Sequence, residues 1–90
     1  MDLARPHRLN VRVGLRPEPF GALAYHFDNR RLVFLRSLDL VKLVCDLENF
    51  PTAEAAITAH SGSHSDQAKA RRQYATALQS LADAEVICER

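Results

Sequence analysis

Cysteine is scarce in this chain, with two in 90 residues. Cys45 and Cys88 form no pattern of spaced pairs, which excludes a disulfide framework and the motif of a cysteine-ligated iron–sulfur cluster. Glycine is equally scarce, at three residues, and no glycine-rich phosphate loop, Gly-x-Ser-x-Gly elbow or Cys-x-x-Cys is present. No stretch approaches the roughly 20 apolar residues that span a bilayer, and Met1–Asn10 lacks the apolar core of a signal peptide. A cytoplasmic location is the expectation. Charge of one sign is also missing: the net charge of +1 names no partner.

What is present is an ordinary globular composition, 47% hydrophobic and 26% charged. The length accommodates one modest core and no separate cofactor-binding domain. The expected organisation is one domain over residues 1–90, with a flexible N-terminus at 1–8 and a C-terminal tail at 85–90.

From Leu9 to Arg16 apolar and polar residues alternate, with Val11, Val13 and Leu15 on one face, which predicts a half-buried strand. The corner Pro17-Glu18-Pro19 fixes φ and removes donors. It leads into a second strand, Gly21–Phe27, carrying Leu23, Tyr25 and Phe27 on one face and Ala22, Ala24 and His26 on the other. Asp28-Asn29 tolerates left-handed geometry and predicts a tight hairpin into a third strand, Arg31–Leu35, apolar on both faces.

Ser37 reads as a helix N-cap with Asp39 in the first turn, opening a helix that runs to about Glu48, with Cys45 as core filler. Pro51-Thr52 starts a second helix, Ala53–His60, and Gly62 is expected to supply a left-handed exit. Ser65 is expected to cap a third helix from Asp66, with Gln67, Tyr74, Leu78 and Leu81 near one face and Ala70 and Ala77 alongside. Val86 and Ile87 can return to the core. Strands followed by helices predict an α+β fold: a three-stranded antiparallel sheet followed by three helices (β-β-β-α-α-α), winged-helix-like, with the helices on one face.

The acids Asp39, Asp46 and Glu48 lie on a helix and its end, where solvated charge is the ordinary condition, so they do not make an acid/base pair. His60 and His64 are four apart but separated by Gly62 and lack further ligands, so they read as a polar interhelical turn rather than a metal site. His26 reads as a partly exposed sheet residue. No cofactor and no enzymatic activity are expected. Two features remain: the basic residues Arg30, Arg31, Arg36, Lys69, Arg71 and Arg72, and the open edge of the third strand. An open edge can accept an extended peptide as a further strand, or be covered by another strand, a second copy or the C-terminal tail.

The run Arg16-Pro17-Glu18-Pro19-Phe20-Gly21-Ala22-Leu23-Ala24-Tyr25-His26-Phe27, continued by Asp28-Asn29-Arg30-Arg31-Leu32-Val33-Phe34-Leu35, closely resembles the mycofactocin peptide chaperones. These are relatives of the peptide chaperone of pyrroloquinoline quinone biosynthesis, and both belong to the recognition elements for precursors of ribosomally made, modified peptides. The resemblance is densest from Asn10 to Leu47 and departs at the turn Ser61-Gly62-Ser63-His64. It implies a non-catalytic domain that binds the leader of a small precursor peptide by strand addition and delivers it to a radical S-adenosylmethionine maturase. Carried onto this chain, the implied contacts are Arg31, Leu32, Val33, Phe34 and Leu35 on the strand, with Lys69, Arg71, Arg72, Gln73 and Thr76 on the third helix. The rival reading is a small winged-helix DNA-binding protein using the third helix and an Arg30-Arg31 wing. A third is a subunit of a larger enzyme that makes no peptide contact.

Overall fold

The computed structural model describes residues 1–90. Its elements are β1 (His7–Leu9), β2 (Val13–Glu18), β3 (Gly21–His26), β4 (Leu32–Leu35), α1 (Leu38–Asp46), a 3₁₀ turn (Leu47–Asn49), α2 (Ala53–Ser61), α3 (Gln67–Asp83) and β5 (Ile87–Glu89). Strands β2, β3 and β4 form an antiparallel sheet in that order, and the fold is α+β as the strand-then-helix order predicts. β1 and β5 form a separate antiparallel pair, with Leu9 opposite Ile87 and His7 opposite Glu89.

The expected first strand is therefore two. Asn10 breaks it: its Oδ1 accepts the Arg12 N–H at 2.9 Å and its carbonyl accepts the Val13 N–H at 3.0 Å, an Asx-type turn that leaves Val11 exposed. The N-terminal segment bonds to α2. The carbonyls of Leu3 and Arg5 accept the amides of Glu54 and Ala53 at the start of α2.

The helix starts follow from short polar side chains. Ser37 Oγ accepts the Leu40 N–H at 3.2 Å and Thr52 Oγ1 accepts the Ala55 N–H at 3.0 Å, each cap contributing about 1 kcal/mol. The cap of α3 is Asp66 rather than Ser65, its carboxylate accepting the Lys69 N–H at 3.0 Å. Gly62 does not turn left-handed; its φ is −62°. The left-handed residues are Glu85 (φ 62°) and Arg30 (φ 60°). At Glu85 the Val86 N–H reaches the Leu81 carbonyl at 2.8 Å and the Glu85 N–H reaches Ala82 at 3.0 Å. This six-to-one and five-to-two pattern ends α3 and turns Val86 and Ile87 back into the core.

One cluster of buried side chains joins Leu35, Leu43, Val44, Leu47, Ile57, Leu78, Val86 and Ile87. On β3 the small face is the buried one: Ala22 and Ala24 are 1% exposed, and α1 packs across β3 and β4 there. Small side chains permit that close approach. Cys45, expected as core filler, is exposed, because Leu43, Val44 and Leu47 occupy the inward positions of this stretch.

Candidate functional site

The sheet has two edges, and they differ in what they offer a further strand. On β4 the phase of hydrogen bonding is set at its first turn, where the His26 N–H donates to the Arg31 carbonyl at 3.0 Å. In an antiparallel pair bonded and non-bonded positions alternate. With Ala24 opposite Val33 and Ala22 opposite Leu35, those two pairs bond inward. The N–H and C=O groups of Leu32 and Phe34 point away from β3, and no other backbone segment bonds them.

The β2 edge is blunted. The Phe27 N–H donates to the Arg12 carbonyl at 2.8 Å, so Val13, Leu15 and Pro17 fall at the positions facing outward. Val13 spends its N–H on the Asn10 carbonyl, and Pro17 has none, leaving Leu15 as the sole outward donor of that strand. Proline at such a position is a common defence of an edge. The C-terminal tail does not cover the β4 edge either, since β5 pairs with β1.

β4 carries its side chains in alternation. Leu32 and Phe34 project to the outer face, 57% and 55% exposed, whereas Val33 is half-buried and Leu35 is fully buried. Arg31 is exposed at the hairpin. On α3, Lys69, Arg71, Arg72, Gln73 and Thr76 are all exposed, but on two sides. Arg71 and Arg72 border a hollow with Leu3, Glu54 and Ile57 from the N-terminal segment and α2. Arg72, Gln73 and Thr76 line an open groove of about 520 Å³ together with Ala77 and Ser80. The main packing partners of α3 are α2 and β5, whereas the helix seated against β4 is α1. Strand and helix candidates thus form two separate groups.

The hairpin that presents β4 is fixed from inside. His26, read from sequence as partly exposed, is 4% exposed. Its Nδ1 accepts the backbone N–H groups of Asp28 and Asn29 at 3.2 and 3.4 Å, which assigns the proton of the neutral ring to Nε2. Nε2 has no hydrogen-bond partner and lies 3.9 Å from the Glu85 carboxylate, on the wall of a cavity of about 490 Å³. Across the turn Arg12 and Asp28 pair at 2.7 Å. The hydrogen bond from Arg12 holds the Asp28 carboxyl below its usual range. Arg30, rather than Asp28 or Asn29, takes the left-handed conformation.

The other polar residues singled out in the sequence have structural partners. His60 Nε2 lies 2.9 Å from Asp46 Oδ2, bridging α2 to α1, and His64 Nε2 lies 2.9 Å from the Tyr74 hydroxyl. No group of three metal-ligating side chains comes together.

Sequence reasoning did not assign a role to the outer face of the sheet. Tyr25 stands opposite Leu32, and Leu23 opposite Phe34. The rings of Tyr25 and Phe27 are 5.4 Å apart and those of Phe20 and Phe34 are 5.9 Å apart. The signal was the contrast on β3 between a bulky face and an alanine face, since close helix packing selects the smaller one.

Three curated proteins match the chain, each described as a Peptide chaperone MftB. That of Mycolicibacterium smegmatis is 44% identical over 61 residues, covering 68% of this chain and 60% of the relative. That of Mycobacterium ulcerans is 40% identical over 67 residues, covering 74% and 62%. That of Mycobacterium tuberculosis is 44% identical over 55 residues, covering 61% and 50%. The chain thus spans between half and about three-fifths of the length of these relatives. No solved structure matches. No helix is long and apolar enough to cross a membrane. The family model described as the Peptide chaperone MftB family matches residues 6–88, and the chain belongs to that family.

Proposed function

We propose that this chain is a non-catalytic peptide chaperone that binds the leader of a mycofactocin precursor peptide as a fourth strand on β4. It then delivers the bound peptide to a radical S-adenosylmethionine maturase in the cytoplasm. The observation that carries this reading is the asymmetry of the sheet edges: Leu32 and Phe34 present free donors and acceptors, while Pro17 and the Asn10 turn blunt the opposite edge. Strand addition supplies affinity through the backbone and selectivity through alternate side chains.

Arg31, Leu32, Val33, Phe34 and Leu35 form the strand side of the proposed contact, with Leu32 and Phe34 bonding and Leu35 shaping the floor. Lys69, Arg71, Arg72, Gln73 and Thr76 are proposed to meet leader residues beyond the added strand. The hairpin arginines favour an acidic leader. Holding the leader raises the effective concentration of the peptide at its maturase. The same edge is open to a second copy of this chain, and a homodimer would compete with the leader.

Isothermal titration calorimetry with the leader of the precursor peptide tests the reading, with duplex DNA titrated in parallel. Saturable one-to-one leader binding supports it. Absent leader binding with steeply salt-dependent DNA binding would replace it by the winged-helix DNA-binding reading. Maturase binding that is indifferent to leader would point to a plain subunit.

A further inference from the structure

We infer that the outer face of the β2–β3–β4 sheet is a second docking surface, separate from the β4 edge, for a folded protein presenting an apolar ridge flanked by carboxylates. This rests on the peptide-delivery reading only in naming the maturase as the protein that fits. The helices of the fold lie on the other side of the sheet, where Ala22, Ala24 and Leu35 are buried, and no element covers the outer face. Phe20, Tyr25, Phe27, Leu32 and Phe34 are 42%, 37%, 54%, 57% and 55% exposed. They are contiguous through two ring contacts and two cross-strand pairs. Contiguous exposed apolar patches mark interaction sites, and aromatic side chains are enriched in protein interfaces.

The charge around the patch selects the partner. Its carboxylates are already matched: Asp28 is held by Arg12 at 2.7 Å and Glu18 by Arg16 at 3.0 Å. Arg36 lies over the Phe34 ring at 5.8 Å. It has no carboxylate within ion-pair distance. The uncompensated charge is positive, so a second copy laid face to face would oppose arginine to arginine, whereas a carboxylate-flanked ridge is complementary.

Reach separates this surface from the peptide edge. Neighbouring strands lie about 4.8 Å apart, so a strand added to β4 sits roughly 10 Å from β3. Leu23, Tyr25 and Phe27 on and just beyond β3 are therefore left for a layer packed on the face. With a peptide on the edge and the maturase on the face, the two ligands are adjacent, and the peptide leaves β4 beside the enzyme.

The test uses the double variant Tyr25→Ser with Phe27→Ser, and Tyr25→Ser alone should the double variant fail to fold. Leader affinity is read by calorimetry, maturase affinity by surface plasmon resonance, and oligomeric state by analytical ultracentrifugation. The expected result is leader affinity within about twofold of wild type and maturase affinity reduced at least about tenfold. Unchanged maturase affinity in a folded variant overturns the inference. So does a wild-type dimer that the substitution dissolves, which would make a second copy the occupant. Wild-type protein that fails to bind leader but loses maturase binding in the variant would sink the peptide reading and leave this surface standing.

Discussion

The amide of His26 donates to the carbonyl of Arg31 at 3.0 Å, and this bond phases the whole β3–β4 ladder. It turns the Val33 amide inward and the Phe34 amide outward. Proline at the two positions therefore has opposite consequences. Val33→Pro breaks an internal ladder bond and lowers the urea midpoint. Phe34→Pro leaves the ladder intact and weakens leader binding by about 0.5–1.5 kcal/mol for the lost donor, roughly two- to tenfold, plus the loss of the Phe34 side chain. Calorimetry on both folded variants checks this, and equal leader affinity in Phe34→Pro and wild type would argue against strand addition.

Gly21 is a site where the fold requires glycine. Its φ is 150°, and a Cβ there would lie 2.0 Å from the Leu35 carbonyl oxygen, on the strand that carries the free edge. Gly21→Ala is expected to destabilise by at least about 2 kcal/mol, on the order of 10 °C in Tm. Differential scanning calorimetry gives the value.

Asp46 links pH to the helix layer. Its carboxyl is held below the usual range first by the hydrogen bond from Asn49, then by that with His60. A depressed folded pKa means that protons bind the unfolded chain more readily. The stabilisation is complete above the ordinary carboxylate range and is lost as pH falls through the lowered value. The gap in urea midpoint between wild type and Asp46→Asn should narrow as pH falls through and below the ordinary carboxylate range, with wild type the more stable near pH 6. A constant gap across that interval would refute the linkage.

Cys45 is exposed, yet its thiol pKa is raised, first by partial desolvation and then by the carboxylates of Asp46 and Glu48. Thiolate is the reactive form. Iodoacetamide should modify Cys45 at pH 8 more slowly than an unhindered thiol, and Asp46→Asn should speed it. Mass spectrometry of the alkylated peptide gives both rates.

Much of the layout was legible from local chemistry. Ser37 and Thr52 cap helices because a hydroxyl one residue ahead of a helix reaches its free amides wherever the helix packs. The proline corner and the alternation on Gly21–Phe27 likewise declare a strand regardless of context. The missing pieces were those set by a side-chain or backbone bond that apolar period and residue type do not show. Val11 continued an apolar alternation, but the Asn10 side chain captured the Arg12 amide and cut the strand. Gly62 was the residue freest to turn left-handed, yet it keeps a right-handed conformation at the end of α2, while at the end of α3 it is Glu85 that turns left-handed and sends Val86 back to the core.

The amino-acid sequence by itself determined the succession of the three sheet strands and the three helices, the α+β class and the resemblance carried by Arg16–Leu35, because these follow from side-chain period, backbone restriction and residue identity along the chain. Only the tertiary structure decided which face of β3 is buried, since both faces are apolar and the alanine face alone allows α1 to approach. It also decided which amides of β4 are free, because hydrogen-bond phase depends on register against β3. Finally, it decided that β5 closes on β1 and leaves the β4 edge open. That pairing joins the two ends of the chain, and no local pattern in either segment specifies it.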